Sequence, residues 1–188
     1  MLAGLVRDTP SVAQFRWTAE SVLERVQRQR HSEGQGWMFF RELRVSSGFA
    51  RSGIAEQRLD AFALHEWPSQ QNCRVVYEVK TARSDFLNEI KKKPYKRRIG
   101  LALSNLFYFV APRGIIRPEE IPPECGFIEL TEGPMKFDPY AADYGWRYGP
   151  AFPFHCSTVI EAPYRDTASP PWRFVVSLVR RGPHTLEL

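Results

Sequence analysis

The chain of 188 residues has little that would staple or anchor it. Its three cysteines, Cys73, Cys125 and Cys156, are odd in number, widely spaced and in no C-x-x-C pair, which excludes a disulfide framework and a zinc knuckle. His155 beside Cys156 has no second local pair and reads as ordinary packing. No apolar run approaches the roughly 20 residues a membrane span requires; the longest is Leu106 to Ala111. The opening MLAGLVRDTP has no basic region ahead of its apolar start and reaches Arg7 and Asp8 at once, so an intracellular protein without a secretory leader is expected. Neither G-x-x-x-x-G-K-[ST] nor G-x-G-x-x-G occurs, which leaves Gly133, Gly145 and Gly149 as turn residues, and no Ser, His and Asp set announces a serine-type hydrolase. Internal repeats and low-complexity segments are also missing.

What is present fits one globular α/β domain able to bury its own core: 43% hydrophobic and 25% charged residues argue against disordered, collagenous and membrane-embedded chains. The formal charge of +5 favours an anionic partner, and its distribution matters more than its sum. Six of the eight residues from Lys91 to Arg98 are basic, whereas Pro118 to Glu132 is acidic.

Behind Thr18 as N-cap, Ala19, Val22, Leu23 and Val26 recur at helical spacing, predicting a helix to Arg30. Gly34 and Gly36 close it, and Trp37 to Val45 reads as a strand. Arg58 to His65 and Arg74 to Lys80 form a predicted hairpin around EWPSQQNC. A second helix from Ser84 carries Phe86, Leu87 and Ile90 on one face and cannot run unkinked past Pro94. Asn105 to Val110 and Gly126 to Leu130 are apolar enough for buried strands. From Thr131 onward, eight of the fifteen prolines and many aromatics predict an irregular wrap around the domain, ending in a helix at WRFVVSLVRR.

The chemistry gathers on the hairpin. Glu78 and Lys80 share one strand face, and a loop centred on Ser69 sets Asp60 opposite Glu78 with Cβ atoms roughly 5 Å apart. Two facing carboxylates repel and ask for a cation; a hard ion such as Mg2+ suits them, and it can activate water and neutralise charge on a phosphoryl oxygen. Lys80 beside them can orient the attacking water or offset transition-state charge. The plainer alternative is a surface pair, Glu78 and Lys80, with Asp60 at a strand end.

RLDAFAL, YEVKTARSDFLNEIKKKPYK and LFYFVAPRGIIRPEEIPPECGFIEL resemble the PD-(D/E)XK nuclease superfamily and, within it, the MmcB-related DNA-repair and phage-type proteins. The resemblance spans about Trp17 to Leu130 and implies a restriction-endonuclease-like αβββαβ core with a mixed central sheet, Mg2+ or Mn2+ as cofactor, and hydrolysis of phosphodiester bonds in DNA. It implies Asp60, Glu78 and the backbone carbonyl of Val79 as metal ligands and Lys80 as the catalytic lysine. Members also supply an acid from the first helix; Glu20 is expected here rather than Glu24, being nearer the apolar stripe, the alternative being a first-turn Glu that complements the helix dipole. Leu59 stands where the family's name-giving proline would be, and the tail after Leu130 matches nothing in the family.

Lys91, Lys92, Lys93, Lys96, Arg97 and Arg98, with Arg83 before them, are expected to contact the phosphates of DNA; the alternative is a solvated face. Tyr140, Tyr144, Trp146, Tyr148, Phe152 and Phe154 are expected to pack the tail onto the core rather than to stack on bases. Oligomeric state stays open, a homodimer included. The rival function is a catalytically inactive nucleic-acid-binding module on the same fold.

Overall fold

In the computed structural model the described residues are 17–32, 34–45, 57–132 and 154–185. The element order is α1 (Ala19–Arg30), β1 (Trp37–Val45), β2 (Gln57–His65), β3 (Arg74–Val79), α2 (Arg83–Lys92), α3 (Arg97–Leu103), β4 (Leu106–Pro112), β5 (Gly126–Glu132), β6 (Phe154–Ile160) and α4 (Trp172–Arg181). The six strands make one sheet in sequence order, with β1, β2 and β3 antiparallel, β3, β4 and β5 parallel, and β6 antiparallel to β5. The chain is therefore α/β with a mixed sheet.

Local chemistry sets the boundaries. Thr18 Oγ1 accepts the Ser21 N–H at 3.1 Å and Ser21 Oγ accepts the Thr18 N–H at 3.1 Å, a reciprocal cap that starts α1 where the sequence predicted. α2 ends at Lys92, before Pro94. A single turn at Pro94–Lys96 lets a helix resume as α3, which the sequence reading did not anticipate. Gly100 makes that helix possible: a Cβ there would lie 2.7 Å from Phe107 Cε2, so only glycine lets α3 lie this close to β4.

Each face of the sheet carries a core. On one side α1 presents Val22, Leu23 and Val26, all buried, to Ala61, Ala63, Val75, Tyr77, Val110 and Ile128. On the other, α2, α3 and α4 cover Phe62, Val76, Phe107, Phe109 and Phe127 through Phe86, Leu103, Phe174 and Leu178. Burying each of these large side chains stabilises by about 1.5–3 kcal/mol. The tail corrects one expectation: instead of an irregular wrap, Phe154–Ile160 extends the sheet along β5, while the expected terminal helix forms as α4 and packs Phe174 against Phe62 with ring centroids 5.1 Å apart. HCSTVI is β-branched enough to pair, and WRFVVSLVRR buries two apolar residues one turn apart. Gly133, Tyr140, Tyr144, Gly145, Trp146, Tyr148, Gly149 and Phe152 lie outside the described residues.

The β1–β2 pair contains one irregularity that matters for the site. The ladder runs Arg41↔Ala61, then Leu43↔Leu59, and Glu42 between them has φ +53°. Phe40 and Leu43, like Phe62 and Leu59 across from them, enter the same core although three positions apart in each strand. Side-chain alternation thus slips once in both strands, at Glu42 and at Asp60.

Candidate active site

Asp60 stands at that slip, where β2 and β3 also part. Their ladder holds from Leu64↔Arg74 to Ala61↔Tyr77, the register expected from a loop centred on Ser69, and the next pair along it is Asp60 and Glu78. Beyond Ala61 the Val79 N–H, which a continued ladder would give to a β2 carbonyl, donates instead to Asp60 Oδ2 at 2.8 Å. The Lys80 N–H points the other way, to the Val110 carbonyl at 2.9 Å. Within one extended residue N–H and C=O leave on the same edge, so the Val79 carbonyl faces the Asp60 side.

Glu78 shares a face with Val76 and looks toward α2. The Lys80 ammonium, 3% exposed, donates to Glu78 Oε1 at 2.7 Å, approaches Glu89 Oε2 at 2.8 Å and lies 3.4 Å from Asp85 Oδ2. Four carboxyl groups, those of Asp60, Glu78, Asp85 and Glu89, thus share the surroundings of one ammonium. Burial raises the Asp60 carboxyl above its ordinary range against the pull of the Val79 N–H and Lys80. Burial, then the Asp60 carboxylate, push Glu78 up to about 8. Burial works against the Lys80 charge, and the Glu78 and Glu89 carboxylates outweigh it, so its pKa is raised.

The donor set fits a hard divalent cation. Two carboxylates and a backbone carbonyl are all oxygen donors, and burial raises both acids, with the Asp60 carboxylate adding to the rise at Glu78. Among the described residues no three His, Cys, Asp or Glu side chains form a group that could hold an ion by themselves. Mg2+ is ordinarily held by one or two carboxylates, with waters completing its shell.

The structure brings Asp60, Glu78, Val79 and Lys80 together, and leaves Glu20 apart. Glu20 is exposed in the first turn of α1, on the opposite side of the sheet from the Glu78 side chain. Burial in α1 begins at Val22; Glu20, although one turn before Leu23, belongs to the exposed first turn. Glu24, the other helix acid, pairs with Arg28 at 3.0 Å.

The basic segment divides. Lys91, Lys92, Lys96 and Arg98 are exposed and Lys93 is half-buried. Arg97 is buried with Nη2 3.5 Å from Glu124, and Arg83 grips both Glu120 oxygens at 2.6 and 2.9 Å. Both arginines are thus ion-paired within the fold, Arg97 buried and Arg83 a third exposed.

Sequence reasoning missed Glu89 and Asp85. Its available signal was Glu89 sitting between Phe86 and Ile90 on the apolar face of α2, since a carboxylate on a buried stripe requires a charged partner. Asp85 lies one turn earlier on the same side.

No family model matches the chain, and no curated protein matches it. Among solved structures, a protein of unknown function from Silicibacter pomeroyi is similar at 19% identity, covering 85% of this chain and 80% of that one with a TM-score of 0.49.

Proposed function

We propose that the chain is a metal-dependent DNA nuclease of the PD-(D/E)XK type, built on a restriction-endonuclease-like αβββαβ core. The observation that carries this reading is the convergence of Asp60, the Val79 backbone, Glu78 and Lys80 where β2 and β3 separate. The order of a helix, three antiparallel strands, a helix and a parallel strand supports the core assignment.

Asp60, Glu78 and the Val79 carbonyl would hold the ion, Mg2+ or Mn2+. When bound, such an ion lowers the pKa of water and neutralises charge on a phosphoryl oxygen. The Val79 N–H fixes one Asp60 oxygen and leaves the second available as a donor atom. Lys80 Nζ, kept cationic by its carboxylate neighbours, orients the attacking water and offsets negative charge on the scissile phosphate in the transition state. The exposed lysines following the site in sequence, Lys91, Lys92 and Lys96, are placed in this reading on the DNA backbone.

The test is cleavage of supercoiled plasmid and of single-stranded DNA with Mg2+ or Mn2+. The expected result is cleavage abolished by EDTA and by Asp60→Asn. Salt-sensitive DNA binding without any cleavage would replace this reading with the inactive binding module, and no binding at all would remove nucleic acid from the account.

A further inference from the structure

The surroundings of Lys80 contain an asymmetry. Its ammonium makes a directed hydrogen bond to Glu78 Oε1 at 2.7 Å and pairs with Glu89 Oε2 at 2.8 Å in a less directed geometry, while Glu89 Oε1 has no protein donor. Glu89 is 2% exposed, so its carboxylate depends on buried partners, and the Lys80 ammonium is beside it. A buried carboxylate in that position can accept more from the ammonium than it now receives. The nearest donor already serves a residue that the metal-dependent reading assigns to a cation.

We propose that the Lys80 ammonium is an internal counter-ion shared between Glu78 and Glu89, and that Glu89 is the positioning residue that takes it over when a divalent cation claims Glu78. The inference rests on the metal-dependent reading of this site and deepens it. Without the cation, Lys80 offsets the mutual repulsion of Asp60 and Glu78. A cation binding those two acids competes with the ammonium for Glu78 and repels it. At 3% exposure the ammonium cannot turn out into solvent, and Glu89, held on α2 within 2.8 Å, receives it after a rotation rather than a rearrangement of the helix. Lys80 thereby stays beside the reacting phosphate with its charge intact, and its pairing with Glu89 becomes a directed hydrogen bond. Asp85, 3.4 Å from Nζ and exposed, is too far from Nζ and too hydrated to replace Glu89.

Competition of this kind has a thermodynamic signature separate from activity. Calorimetry of Mn2+ binding is measured for the wild type, Lys80→Met, Glu89→Gln and the double variant, each screened for native circular dichroism. Lys80→Met is expected to bind Mn2+ about tenfold tighter, because one charge-assisted contact no longer has to be displaced. Glu89→Gln is expected to bind about tenfold weaker, because the displaced ammonium has nowhere to go. In the Lys80→Met background the Glu89→Gln effect is expected to fall below about threefold, since Glu89 acts through the lysine. Additive effects would mean that the two residues act only as background charges and would overturn the exchange. Tighter binding that fails to appear in Lys80→Met would do the same. If Lys80→Met does not fold, Glu89→Asp decides: it keeps the carboxylate and is expected to stay within about threefold of the wild type, and a loss matching Glu89→Gln overturns the proposal. Absence of Mn2+ binding in every variant, Lys80→Met included, would instead remove the metal-dependent reading itself.

Discussion

Two ionisable residues in the core give the clearest residue-scale expectations. Lys80 touches the reacting phosphate in the proposed mechanism, so Lys80→Ala should lower single-turnover cleavage by about 10²-fold or more while leaving DNA affinity nearly unchanged, which filter binding and quenched-flow assays separate. Retained cleavage would favour the binding module. His31 lies under the sheet with Nε2 2.6 Å from the Tyr77 hydroxyl, and burial drives its pKa down to about 3. Because the unfolded chain protonates this imidazole near its ordinary value of 6.5 and the folded one does not until about 3, folding stability falls as pH drops through that window. The loss should reach a few kcal/mol in urea unfolding by pH 4, and His31→Gln should flatten that part of the profile. Asp60 is fixed by the Val79 N–H, which donates to its Oδ2 at 2.8 Å.

Elements decide how those residues meet. The slip at Glu42 and Asp60 lets Asp60 reach sideways to the Val79 N–H while the β2–β3 ladder behind it stays in register. Glu42 adopts the left-handed region, which costs a non-glycine residue roughly 1–2 kcal/mol, and its exposed pair with Arg58 returns little of that. Glu42→Gly should therefore stay within about 1 kcal/mol of the wild type in chemical denaturation, whereas Glu42→Val, β-branched at positive φ, should lose about 2 kcal/mol and cleave more slowly. None of this was legible in the sequence, because a conformational slip between two regular strands leaves the alternation of WMFFRELRV nearly intact. The cap at Thr18, the strand from Trp37 to Val45, the hairpin register and the end of α2 before proline were legible, each being fixed by residues within a few positions. α3 was not: its start follows a proline and its middle is a glycine, both read locally as breakers, and only contact with Phe107 explains them. At the C-terminal end of α2, changing Lys91, Lys92 and Lys93 together to Ala should weaken DNA binding and reduce the slope of log K against log salt by up to about three. An unchanged slope would make the run a solvated face.

For the molecule as a whole, the sheet places two separate cores on its faces and sets the acidic cluster at the α2 side, where β2 and β3 diverge. The trio Asp60, Glu78 and Lys80 could be read from the chain because strand periodicity and hairpin register are local. Glu20 could not be placed correctly because the face that a helix turns to a sheet depends on packing several strands away, and Glu89 escaped because burial of a helical acid becomes visible only once α2 lies over Lys80. Among the described residues no helix is long and apolar enough to cross a membrane. The central claim, that these residues converge on one divalent cation, is tested most directly by a crystal structure with Mn2+ soaked in and its anomalous signal recorded. The account predicts a peak bounded by the carboxylates of Asp60 and Glu78 and the Val79 carbonyl, at about the 2.1 Å expected of a small hard cation, with Lys80 Nζ turned from Glu78 onto Glu89. A saturated crystal with no peak there, or with the ion bound away from Asp60 and Glu78, would contradict it.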